Sequence, residues 1–264
     1  MPTLVLLAVV GSFGAIGAAV VWRTWPRATP TLTPPTVPMW LAGIVVVLVG
    51  LQIADRVVRP PTALPMESTH LAALLGQGSV QSLFVWGVLL AGWIGGGASR
   101  SDWGRHERTA VAANRPLAAG LTLLLAAVVL TLSALLERFG VVGDHQLIDA
   151  LRTRGTPLLW AAVIGSAVLV APLAEELIYR VLLQSTLRKR LPAAAAVAAS
   201  SLAFMAVHEP AVMLTVLPLA VVNGMLFERT GSYGLVVVVH ALFNAAMLGL
   251  LGLQMLLPAG PAHV

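Results

Sequence analysis

Apolar stretches of about 20 residues, the length a helix needs to cross the hydrocarbon core of a bilayer, recur from one end of this chain to the other. Nothing else in the sequence restricts the fold so strongly. Charged residues make up 10% of the 264 positions and hydrophobic residues 58%, whereas soluble domains carry about 25% charge. The expected fold is all-α, a polytopic membrane protein of about eight transmembrane helices.

The expected spans are 3–22, 38–54, 79–97, 116–136, 158–188, 192–208, 211–228 and 233–253. The fifth is too long for one straight crossing, since a rise of about 1.5 Å per residue makes it roughly 45 Å. Gly165 and Pro172 are the places where it would bend, tilt or divide. Between spans four and five, Asp144 reads as an N-cap. Leu147, Ile148 and Leu151 follow at helical spacing, as in a short helix lying on the membrane surface. The N-terminal run lacks a basic start and is longer than a signal peptide, so it reads as a retained first span. The Pro-rich stretches 26–38 and 59–68 read as loops. No internal repeat is visible.

The formal net charge is +5, yet the basic residues sit in short connections, the way cytoplasmic loops are marked. One side would hold Arg23, Arg27, Arg100, Arg105, Arg108, Arg115, Arg188, Lys189, Arg190 and Arg229. The other would hold Arg56, Arg59, Arg138, Arg152 and Arg154. The richer side should be cytoplasmic, with both termini outside. No basic stripe with interleaved aromatics is present, so no nucleic acid partner is expected. Cysteine is absent, which removes disulfides, thiolate nucleophiles and Cys-based zinc sites.

Against this background Glu175, Glu176 and Arg180 lie inside the fifth apolar run. A charge at bilayer depth costs at least about 2.5–3.5 kcal/mol, so such groups face a protein interior or a wet cavity. Glu176 and Arg180 are four apart, share a helix face and can pair. Glu175 points about 100° away and need not be consumed by that pair. The bland alternative is that all three satisfy one another and fix helix packing. Two further segments argue for more. His208 ends span six with Phe204 one turn earlier, and His240 and Asn244 lie four apart in span eight. Helical rise puts Glu175 about 20 Å above the basic end, His208 about 25 Å, His240 about 12 Å and Asn244 about 18 Å. These depths are compatible with one shared site.

A carboxylate and a neutral imidazole around one water form a general-base pair. A second histidine with an asparagine one turn away offers donors for an oxyanion. Together they suit amide hydrolysis. Neither a G-x-S-x-G elbow nor H-E-x-x-H is present; "HEPAV" at 208–212 has Pro210 and Val212 where the latter needs helix and a second histidine. Glu175, His208 and His240, with one position left for water, would form an open zinc set. The same residues could activate water without metal, and that is the preferred reading.

The three segments "EELIYR" (175–180), "FMAVH" (204–208) and "HALFN" (240–244) resemble the EExxxR, FxxxH and HxxxN motifs of the CAAX protease and bacteriocin-processing family. These are intramembrane endopeptidases similar to type II CAAX prenyl endopeptidases. "GMLFERTGSYG" at 224–234 resembles the connection between the family's last two core helices. The resemblance covers about residues 155–250 and implies a four-helix catalytic core near the C-terminus. It implies that Glu175 and His208 activate the attacking water, that His240 and Asn244 hold the oxyanion, and that Glu176 and Arg180 brace the site, with Phe204 in support. Asn223 matches no motif residue and reads as a packing amide. Val181 stands where many relatives have glycine, which puts local packing in question more than chemistry.

The expected division is 1–115 as N-terminal scaffold helices and 116–264 as the protease domain. The expected partners are membrane lipids and a membrane-anchored protein or peptide, prenylated or not. The Ala/Arg-rich composition fits an integral protein of a prokaryotic plasma membrane. Two other classes compete: a non-catalytic immunity or scaffold protein of the same fold, and a proton-coupled transporter using Glu175, Glu176 and His208 as a relay.

Overall fold

The computed structural model describes residues 2–26, 37–58, 67–96, 108–141 and 146–256. The Asp144 cap, most of the two Pro-rich stretches, and Arg27, Arg59, Arg100 and Arg105 lie outside these residues. Every regular element among the described residues is a helix. They are α1 (Pro2–Thr24), α2 (Met39–Val58), α3 (Ser68–Gly95), α4 (Arg115–Arg138) and α5 (Gln146–Arg154). Then follow α6 (Pro157–Arg188), α7 (Ala193–Ala206), α8 (Met213–Thr230) and α9 (Tyr233–Leu256).

Helices α2, α3, α4, α6 and α9 are long and apolar enough to cross a membrane, while α7 and residues 8–24 of α1 are apolar but shorter. At 1.5 Å per residue α7 covers only about 21 Å, less than the roughly 30 Å core, so it ends within the bundle. The third span begins at Ser68, not near 79 as read from sequence. Its first turns, "STHLAALLGQGS", mix polar and glycine residues with apolar ones and fall below a membrane-span signal. The outer faces of α2 and α3 expose Trp40, Val46, Val47, Leu51, Val80, Phe84 and Val88, the apolar belt that a lipid-facing surface requires.

Helix α6 is the hub, packed by α2, α3, α7, α8 and α9, while α4 carries α1 on one side and α9 on the other. Its start is fixed locally. Thr156 accepts the Leu159 N–H at 3.2 Å and Pro157 takes the first turn, where a missing N–H costs nothing. Helix α8 ends at Gly231 in the left-handed region (φ 60°), whose N–H bonds Phe227 O. Helix α5 does form where its apolar spacing requires. Its apolar side turns onto the bundle rather than to lipid: Leu151 is buried beside Leu159, Val163 and Leu251, and Leu147 and Ile148 pack against them. At the opposite end Lys189 donates to Val37 O (2.7 Å) and Arg229 to Pro26 O (2.9 Å).

In lipid, helices gain little from burying apolar surface against one another and rely on close packing and polar contacts. Close packing is sharpest between α1 and α4. A Cβ at Gly17 would lie 2.6 Å from Leu124 N and 2.8 Å from Gly120 O, so the two backbones touch. Gly17→Ala must push the helices apart. It is expected to destabilise by about 1–3 kcal/mol, the range for overpacking, read as a lower midpoint of thermal unfolding in detergent.

Candidate active site

The site begins with the way Pro172 disturbs α6. Residues Gly165–Val170 and Leu177–Gln184 adopt π-helical turns on either side of it, a wide-turn geometry that recurs at functional sites. In the first turn the Ala171 N–H bonds back five residues to Ser166 O. The next donor in that register belongs to residue 172, and proline has none. Asn244 supplies the missing donor: its Nδ2 bonds Ala167 O at 2.8 Å. The amide expected to face an oxyanion thus has one N–H committed to the backbone of α6.

One turn later come the two carboxylates, in contrasting surroundings. Glu176 is 1% exposed and Glu175 29%. Three donors from three helices converge on Glu176. Arg180 Nε lies 3.2 Å from Oε2, Asn223 Nδ2 lies 3.0 Å from Oε1, and His240 Nδ1 lies 2.8 Å from Oε1. A carboxylate can only accept here, so His240 carries its proton on Nδ1. Its other nitrogen, Nε2, faces Glu175 Oε2 at 3.8 Å. That gap is too long for a direct hydrogen bond and within reach of a bridging water.

Phe204 is the wall on which the rest is mounted. Its buried ring meets Tyr179 edge-on (centroids 5.1 Å), His240 edge-on (6.0 Å) and His208 in a tilted stack (4.6 Å), and the Arg180 guanidinium lies 5.7 Å from its centroid. His208 follows the end of α7. Its Nδ1 bonds Phe204 O at 2.7 Å, so the ring caps its own helix and presents only Nε2 outward. The structure therefore gathers Arg180, His208 and His240 around the Phe204 ring, with Glu175 and Glu176 against His240 and Asn244 bonded further up α6.

The network also holds residues outside the expected set. Asn223 binds Glu176 and Val236 O (3.2 Å) together, joining α8 and α9 to the carboxylate. It packs helices and touches the site at once. Arg180 Nη1 donates to Ser200, which donates to Gln184 Oε1, whose Nε2 reaches Gly224 O and Glu228. Glu228 then pairs with Arg188 at 3.1 Å. The one legible signal for Asn223 and Gln184 was an amide within an apolar helix. Gly224 makes room, since a Cβ there would lie 3.3 Å from Arg180 Nη1 and 3.2 Å from Gln184 Oε1.

The zinc set Glu175, His208 and His240 does not fit this geometry. Among the described residues no group of three or more His, Asp or Glu side chains is gathered closely enough to hold a metal ion. Both imidazoles bond through Nδ1 within the protein, one to Glu176 and one to Phe204 O, so each has Nε2 left to face water. It is the spread of the three side chains, not the state of these rings, that argues against the zinc set.

Residues 156–246 match the family described as Type II CAAX prenyl endopeptidase Rce1-like. Searches of curated proteins and of solved structures found no match. The matched segment runs from the Thr156 cap to two residues beyond Asn244, and so covers α6, α7 and α8 and the first part of α9, as far as its site residues.

Proposed function

We propose, for a chain that belongs through residues 156–246 to the CAAX protease family, an intramembrane endopeptidase activity. The substrate is a membrane-associated protein or peptide, and the nucleophile is water activated by Glu175 with histidine help. The observation that carries this reading is the 3.8 Å approach of Glu175 Oε2 to His240 Nε2. With the His240 proton held on Nδ1 by Glu176, both facing atoms are acceptors. Two acceptors at that spacing suit a shared donor, and a water there can point both protons at them and keep a lone pair for a peptide carbonyl. Attack passes one proton to Glu175, which returns it to the leaving amine.

Glu176 and Arg180 set the imidazole rather than react. His208 stacks on the wall with Nε2 uncommitted, and the second N–H of Asn244 lies one helical turn along α9 from His240. We assign His208 to orienting the water and Asn244 to the developing oxyanion. This keeps Glu175 and His208 as expected from the resemblance, and moves His240 towards water activation because of what it faces.

The test is cleavage of matched quenched peptides, farnesylated and unmodified, by protein in nanodiscs. Glu175→Gln and His208→Gln should each lower kcat by roughly 10²–10⁴ with the fold intact. Full activity in both variants, or proton flux without cleavage, would overturn the proposal. A preference between the two peptides decides whether the lipid is read.

A further inference from the structure

Helix α2 lies outside the family match, yet its last two turns touch the site at two points. Its first half is anchored by apolar packing, with Leu41, Ala42, Val45 and Val49 buried. None of residues 50–58 is buried. Within that exposed half, Gln52 and Arg56 are four apart and share one face. Gln52 Oε1 accepts from Tyr179 OH at 3.3 Å, and Arg56 Nε donates to Val207 O at 2.8 Å. One contact holds α6 and the other holds the end of α7, on either side of Phe204.

The Val207 contact matters because of how α7 ends. The last carbonyls of a helix lack intrahelical donors. Phe204 O is taken by the His208 ring and Met205 O by the His208 N–H at 3.1 Å. Val207 O, the carbonyl next to His208, is taken by Arg56. The turn that carries His208 is thus tied at three carbonyls, those of residues 204, 205 and 207, and the third tie comes from another helix. A guanidinium on a carbonyl is a charge-assisted bond, stronger than a neutral one.

We infer that Arg56, with Gln52 on the same face of α2, is a positioning residue for His208, clasping the end of α7 so that Nε2 faces the reacting water. The inference rests on the role proposed above for His208, and its test has a readout independent of cleavage. Full-length protein with ¹⁵N-labelled histidine, in nanodiscs, reports the His208 ring, identified by its loss in His208→Gln. In Arg56→Met, which keeps the aliphatic stem, the His208 signals should shift or split while those of His240 stay in place. Arg56→Lys, still a donor, should keep the wild-type signals.

In the peptide assay Arg56→Met should lower kcat by at least about tenfold, the scale of a sub-ångström misplacement, with KM changed less than twofold. Arg56→Lys should recover most of that loss, and the exposed neighbour Val57→Ala should behave as wild type. Gln52→Leu should move the His208 signals in the same direction and less far. Unchanged His208 signals in Arg56→Met would overturn the inference whatever the activity. A rise in KM alone, or an equal loss in Val57→Ala, would also overturn it. Absence of cleavage in the wild type with the expected shifts would remove the peptidase reading and leave the clasp standing.

Discussion

Glu176→Leu is expected to cost about 3–5 kcal/mol of stability, the range for breaking one side of a buried ion pair, and to lower the unfolding midpoint more than any other single change in the core. The magnitude comes from what is left behind. Arg180 is fully buried. Its Nε would lose Glu176, its Nη1 would keep only Ser200, and its Nη2 has no hydrogen-bond partner among the described residues. Asn223 Nδ2 and His240 Nδ1 would lose the same acceptor together. Set against the 5–15 kcal/mol that typically separates folded from unfolded chains, this is a large fraction. Adding Arg180→Met to Glu176→Leu removes the stranded charge, so the double variant should melt above the Glu176→Leu single variant. Thermal unfolding in detergent, followed by tryptophan fluorescence, checks both. A single variant within a degree or two of wild type, or a double variant less stable than the single, would contradict this account of the pair.

The same pair shows how far sequence reading reaches. That Glu176 and Arg180 meet follows from i, i+4 spacing alone, and that Glu175 is left over follows from the 100° step. The five helices long and apolar enough to span were equally legible, because apolar length is a property of the segment itself. Three of the eight expected spans, at α1, α7 and α8, fall outside that set among the described residues. The third helix was misjudged at its start for the converse reason: its first turns are stabilised by neighbours, as when Ala72 packs with Leu151 and Leu251.

Depth counting gave a mixed result. It put Asn244 nearest to Glu175 in height, but Asn244 bonds Ala167, eight residues or about 12 Å up α6, while His240 meets Glu175 and Glu176. Rise along an axis ignores the angle at which α9 crosses α6. It also ignores the π-turns, which come from a hydrogen-bond register that only the folded helix reveals. The contacts made by Asn223, Ser200, Gln52 and Arg56 were out of reach because each joins different helices. No spacing rule connects residue 56 to residue 207.

The second large effect concerns Glu175 and His240 as a couple. Glu175→Gln and His240→Gln are each expected to reduce kcat/KM by roughly 10²–10⁴, the contribution of a positioned general base. The double variant should lose little more than the worse of the two. Non-additivity of this kind marks groups that act as a unit, and the unit in the proposed mechanism is a single water with one proton directed at each acceptor. Once either acceptor becomes an amide the water turns, and the other has nothing aligned to deprotonate. His240→Gln keeps a donor near Glu176, so the buried network survives and the loss reads on chemistry rather than folding. Unfolding midpoints for all three variants separate those two effects. A double variant whose loss equals the product of the single losses would mean that Glu175 and His240 serve different steps. His240 would then return to the oxyanion side of the site, with His208 left as the partner of Glu175.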